Sequence, residues 1–179
     1  MKKIIVYTAV VLFISIASLS LNAQENESSY KSGIGIRIGG GYYDRIAASF
    51  KTFVSERGAI EANVGFRNYG YIGYTWFNLS ASLAFQYHFN IGNVEGLKWF
   101  IGGGLTAFNT FSSYDDYQGF GLGVFPTGGV DYKFSGIPLN LSADIRPTIG
   151  LIKPYSYYDN FYAGNVGVAA RYTFGGSKK

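Results

Sequence analysis

The chain has 179 residues and no cysteine, and 15 Lys and Arg stand against 11 Asp and Glu. Without cysteine it can form no disulfide framework, thiolate metal site or lipid-modified N-terminal cysteine. The small positive charge is not gathered into a stripe, which excludes nucleic acid as a partner class.

The first element is a short basic segment, Met1-Lys2-Lys3. It is followed by Ile4 to Leu19, apolar apart from Tyr7, Thr8 and two serines, and by the small-residue site Leu21-Asn22-Ala23. This order predicts a signal peptide over 1–23, since the apolar run of about 16 residues is short for a membrane helix. Discarding Lys2 and Lys3 leaves 13 basic against 11 acidic residues, a net +2. Residues 24–32 are polar and predict a disordered lead-in.

From Gly33 onward the chain alternates, the period of a strand with two unlike faces. Eight strands are predicted, over Gly33–Tyr42, Ile46–Val54, Ala59–Asn68, Phe77–Phe89, Leu97–Phe108, Leu122–Phe134, Leu139–Ile149 and Asn165–Phe174. The fourth is the plainest. Leu79, Ala81, Leu83, Phe85, Tyr87 and Phe89 share one face, and Asn78, Ser80, Ser82, Ala84, Gln86 and His88 the other. Three strands close on paired aromatics, Tyr87/Phe89, Tyr132/Phe134 and Tyr172/Phe174, the placement of a lipid–water girdle. Pro147 marks a bulge or exit in the seventh strand.

Connections alternate between short turns and longer loops rich in Tyr, Phe and Asp, at Tyr69–Trp76, Asn109–Gly119 and Lys153–Tyr162. The loop after the first strand is too short for that alternation. Glycine, 25 of 179 residues, is about twice the usual ~7%, which fits a sheet with one face kept small. Between the second and third strands, Ser55-Glu56-Arg57 predicts a three-residue hairpin loop with Gly58 at a left-handed bulge position. That register sets Phe50 opposite Ala62 outside and Lys51 opposite Glu61 inside, as an ion pair.

The small-residue faces carry Arg37, Lys51, Glu61, Arg67, Lys98, Asp131, Lys133, Asp144, Arg146 and Arg171. Pointing inward, these seven bases and three acids predict a lumen filled by a charge network with a positive surplus, left to water or anions.

For chemistry the sequence offers little. His88, the sole histidine, falls at a strand end beside Phe89 rather than at an outer rim where a hydrolase or acyltransferase site would sit. Asp115-Asp116 and Asp159 lack the spacing of a calcium loop. Gly39-Gly40-Gly41 and Gly102-Gly103-Gly104 lack the strand–loop–helix context of a phosphate cradle. No catalytic, cofactor-binding or metal residue is assigned.

Residues 96–104 (GLKWFIGGG), 130–134 (VDYKF), 137–142 (IPLNLS) and 170–174 (ARYTF) carry a resemblance that covers nearly all of 33–174. The chain resembles the small outer-membrane β-barrels of Gram-negative bacteria, the class of the OmpA transmembrane domain and OmpX, and above all the barrels of Bacteroidota. Those barrels usually stop at the terminal aromatic, whereas here Gly175 to Lys179 follow as a tail. Periodicity and strand count predict an all-β, eight-stranded antiparallel up-and-down transmembrane barrel over residues 33–174. The resemblance implies a bacterial outer-membrane location, lipid and the barrel assembly machinery as partners, and a non-enzymatic structural or surface-interaction role, with any extracellular ligand met through the loops. A narrow anion-preferring pore, a lipid-modifying enzyme and a soluble exported ligand-binding barrel stay open as alternatives.

Overall fold

The computed structural model describes residues 30–71, 74–92 and 94–176. The predicted signal peptide, residues 24–29 of the lead-in and residues 177–179 of the tail lie outside the described residues. Ten strands are present among the described residues: β1 (Ser32–Gly39), β2 (Ile46–Phe53), β3 (Gly58–Tyr71), β4 (Tyr74–Asn90), β5 (Leu97–Ser112), β6 (Gly119–Lys133), β7 (Leu139–Ile145), β8 (Thr148–Ile152), β9 (Phe161–Tyr162) and β10 (Val166–Phe174). Every pairing is antiparallel. β1 pairs β10 from Ser32↔Phe174 to Gly39↔Gly167, and β5 pairs β6 as well as β4. The sheet therefore has no open long edge and closes into a barrel.

Eight wall positions account for the ten strands. β7 and β8 meet β6 in one register, Gly128↔Ile145 and Val124↔Ile149, on either side of an interruption at Arg146-Pro147. Proline has no N–H for the ladder, which explains the break. β9 is a short pairing with β8 that precedes β10. The expected all-β, eight-stranded antiparallel barrel is what forms.

Two predicted loops are shorter than expected because the strands run on. β3 and β4 stay paired through Tyr69↔Trp76, Gly70↔Thr75 and Tyr71↔Tyr74. β5 continues to Ser112 and β6 begins at Gly119, leaving 113–118 with one 3₁₀ turn at Asp115–Tyr117. Tyrosine favours strands, so the Tyr/Gly composition of 69–76 was a poor loop signal.

The hairpin between β2 and β3 keeps the expected register, with Phe50↔Ala62 and Lys51↔Glu61. Its loop is Ser55–Arg57, closed by Val54 N–H donating to Gly58 O at 2.9 Å. Gly58 is not left-handed, however. Left-handed glycines among the described residues are Gly92, Gly96, Gly119 and Gly175. A Cβ on Gly58 would lie 2.7 Å from the Ser55 hydroxyl and 3.0 Å from the Phe85 ring, so crowding explains this glycine.

Crowding by inward aromatic rings also explains three glycines of β5 and β6. Phe100 lies opposite Gly129, Phe125 opposite Gly104 and Phe108 opposite Gly121. Cβ atoms at Gly129, Gly104 and Gly121 would meet those rings at 2.8, 2.7 and 2.3 Å. Each ring lies over the glycine of the neighbouring strand and is at most 4% exposed. The small face is small so that aromatic rings can fill the lumen.

Candidate functional site

The two faces of the wall have opposite polarity. On β4, Leu79, Leu83, Phe85 and Tyr87 are exposed, while Asn78, Ser80, Ala84, Gln86 and His88 are buried inside. The same division holds on β1, where Ile34, Ile36 and Ile38 are about half exposed and Arg37 is 1% exposed.

Inside runs a ladder of alternating charges. At the end bearing the longer loops, Asp44 accepts from Arg37 at 3.2 Å. Arg37 then grips Asp144 with two hydrogen bonds of 2.7 and 3.1 Å. Asp144 also accepts from Arg146 Nε at 2.7 Å, and Arg146 reaches Glu61 at 2.6 Å. Glu61 holds Arg171 at 3.1 Å and accepts from Gln86 at 2.8 Å. Asn140 joins Arg171 to Asp131, donating to Asp131 at 2.7 Å. Lys51 closes the ladder on Asp131 at 2.5 Å.

Four acids therefore meet four bases, each side chain at most 5% exposed. Buried charges persist only when paired and hydrogen-bonded, and here each has partners from other strands.

Two expectations are corrected by this geometry. The first is the positive surplus. Arg67, Lys98 and Lys133 are only partly buried. Arg67 donates to the carbonyls of Gly40 and Gly41, and Lys133 to those of Phe134 and Ile137. Asp44, a turn residue outside the alternating pattern, supplies the fourth acid. The second is the Lys51–Glu61 ion pair. Their backbones are opposite as expected, but Lys51 crosses to Asp131 while Glu61 takes the two arginines. Register fixes Cβ positions, and long side chains then choose the partner that satisfies most donors.

Both ends of the lumen are closed by aromatic rings. At the end with the termini, Tyr30 is 3% exposed, packs edge-on to Phe53 at 5.2 Å and donates to Asp131 at 3.5 Å. Tyr30 belongs to the predicted lead-in, so that segment's last residues are part of the barrel. His88 lies beside it between Phe53 and Phe100, 1% exposed, with Nδ1 3.3 Å from Arg57 O and Nε2 4.0 Å from Asp131.

At the other end β1 stops at Gly39 rather than at the expected Tyr42, because the loop Gly40–Arg45 turns into the lumen. Tyr43 stacks on Phe108 at 5.4 Å and hydrogen-bonds with Thr148 at 3.1 Å. Carbonyls of this loop accept from Tyr69, Asn78 and Tyr162. Tyr42, Tyr155 and Tyr158 complete the cap with ring centroids 5.0–5.6 Å apart. Burial pushes the Tyr155 hydroxyl up to about 12 and raises that of Tyr158 further.

Asp116 and Asp159 are exposed on loops, and no group of three or more metal-ligating side chains occurs among the described residues. Phe100, Phe108, Phe125, Tyr30 and Tyr43 were missed by the sequence reading. Phe100 adjoins Trp99, and two consecutive aromatics hide which one faces inward.

No protein-family model matches the chain, and no curated protein does. Among solved structures it is similar to the crystal structure of Neisserial surface protein A (NspA), with 15% identity and a TM-score of 0.48 over 80% of this chain and 95% of that one.

Proposed function

We propose that the chain spans a bacterial outer membrane as a closed barrel, and serves there as a non-enzymatic structural and surface-interaction protein. The observation that carries this reading is the inverted polarity of the wall. Eight charges are buried, while Ile36, Leu83, Ile101, Leu105, Leu141 and Val168 lie exposed on the outside. Contiguous apolar surface on this scale is not left in water. In lipid the arrangement is favourable, and closure leaves no backbone edge unsatisfied.

The outer face also fits a bilayer in dimension. Phe89 stacks on Trp99 at 4.3 Å near the terminus end, and Phe77 on β4 lies 6.0 Å from Phe111 near the other. Phe77 and Phe89 are twelve residues apart, about 41 Å along a strand and about 31 Å along the axis at a tilt near 40°. An apolar band of roughly 25–30 Å is what a bilayer requires. In this reading the loop-bearing end faces the outside and the termini the periplasm, where β10 and Phe174 would meet the assembly machinery.

The pore reading has less support. Buried charges balance, and rings close both ends. An enzyme is no better served, because His88 sits sealed between two phenylalanines.

Leu83 is midway between the two aromatic bands. Arg there should cost about 2–4 kcal/mol in lipid and prevent the compact unheated form on a gel. Ser82→Arg on the inner face should act by crowding instead. If Leu83→Arg folds into vesicles as readily as the parent chain, the membrane reading is wrong.

A further inference from the structure

The outer face changes character where β3, β4 and β5 leave the apolar band, and a cavity of about 690 Å³ lies there. Its floor is one cross-strand row, Asn68–Phe77–Phe111, and above it lies the pair Gly70–Thr75, with Ser113, just past the end of β5, beside Thr75. Asn68, Thr75, Phe77, Phe111 and Ser113 are exposed on the outward side. Thr75 and Ser113 lie 3.4 Å apart, oxygen to oxygen. Gly70, opposite Thr75, adds no side chain and leaves the row open at that side.

Among the described residues, no charged side chain lines this cavity. Phe77 and Phe111 face it from below, Thr75, Ser113 and Asn68 stand at its walls, and the intervening row Tyr69–Trp76–Ser112 completes the lining. A phosphate would find no cation here, whereas a sugar ring presents an apolar face to stack on aromatics and hydroxyls to exchange hydrogen bonds. Phe77 and Phe111 belong both to this floor and to the aromatic band. A group seated above them stands at headgroup height in a bilayer.

We propose that this cleft binds the neutral sugar headgroup of an outer-leaflet glycolipid whose acyl chains lie along Phe77 and Phe111. The inference rests on the membrane reading. Its test uses the Trp99→Phe chain folded into phosphatidylcholine vesicles, so that Trp76, which lines the cleft, is the sole tryptophan emitter. Adding galactosyl-diacylglycerol should change Trp76 emission saturably, whereas phosphatidylglycerol should not.

Thr75→Val and Ser113→Ala should each weaken that response about three- to tenfold, the usual worth of a hydrogen bond. Gly70→Leu should abolish it, and the milder Thr75→Val keeps the test decisive where Gly70→Leu fails to fold. A response equal for all lipids, or unchanged in the variants, overturns the proposal. So does an equal response to free methyl galactoside, which would assign a soluble sugar instead. Failure of the membrane reading would show separately, as no protease-protected insertion into any vesicle.

Discussion

Two halves of the lumen are filled in different ways. Where β1, β2, β3, β7, β10 and the Asp131 end of β6 face inward, long charged side chains meet across the interior in the ladder from Asp44 to Lys51. Along β4, β5 beyond Lys98 and the Gly119 end of β6 the lining is neutral, and phenylalanines lie over the glycines of the next strand. Phe–Gly pairs join strands adjacent in sequence. Apart from Arg37–Asp44 and Asp144–Arg146, ladder partners are far apart in it: Arg37 and Asp144 are separated by 107 residues, Glu61 and Arg146 by 85, Lys51 and Asp131 by 80. The neutral half can form as its hairpins form. The charged half is complete only once β10 has met β1, so its pairing energy is tied to closure, at a cost in folding speed.

The comparison breaks most visibly at Glu61, which holds Arg146 and Arg171 together. Glu61→Ala leaves both arginines short of a counter-charge in a confined space and should cost about 3–5 kcal/mol. Adding Arg146→Met should recover part of that loss. Urea unfolding in detergent micelles measures both, and a double variant worse than the sum of the singles would deny that the charges act as one set.

In the neutral half, Gly121→Val forces a branched side chain into the Phe108 ring and should cost about 1–3 kcal/mol. Gly103→Ala offers the contrast. Its Cβ would meet only the Phe125 carbonyl, at 3.3 Å, and should be nearly tolerated. Equal costs at the two positions would mean that ring-over-glycine packing is not what fills this side.

A double-mutant cycle separates register from pairing. Lys51 with Asp131 should show a coupling of roughly 1–3 kcal/mol, and Lys51 with Glu61 much less, although the latter two are directly opposed on the wall.

Much of this was legible beforehand. Period-two alternation gave eight wall strands and their inner and outer faces, and the three-residue hairpin loop gave the β2–β3 register, because a slip by one would have turned Lys51 outward. Two features were not legible. Pairing of charges across the lumen depends on the three-dimensional order of closed strands, which alternation along one strand does not encode. The inward fold of Gly40–Arg45 depends on donors from Tyr69, Asn78 and Tyr162, all remote in sequence. Extending the first strand to Tyr42 hid most of that plug and made the loop look short, and Asp44 was overlooked because it belongs to a turn rather than to a strand face.

The smallest expected effect tests whether location, rather than residue type, sets the worth of an inner lysine. Lys133 and Lys51 lie on the same side of the wall, near the same end. Lys51 is fully buried, with a carboxylate at 2.5 Å. Lys133 is partly exposed and donates only to carbonyls, that of Ile137 at 2.9 Å. Replacing Lys51 by Met leaves Asp131 without its cation, and a stranded buried charge costs about 3–5 kcal/mol. Replacing Lys133 by Met removes hydrogen bonds that water at the mouth can make in its place, so the change should stay within about 0.5 kcal/mol. Both variants keep the length of the chain they replace, which leaves charge as the variable. Unfolding midpoints in the same micelles give the difference directly. If Lys133→Met is as damaging as Lys51→Met, the rim belongs to the ladder, and the boundary drawn between the buried charge set and the solvated mouth is in the wrong place.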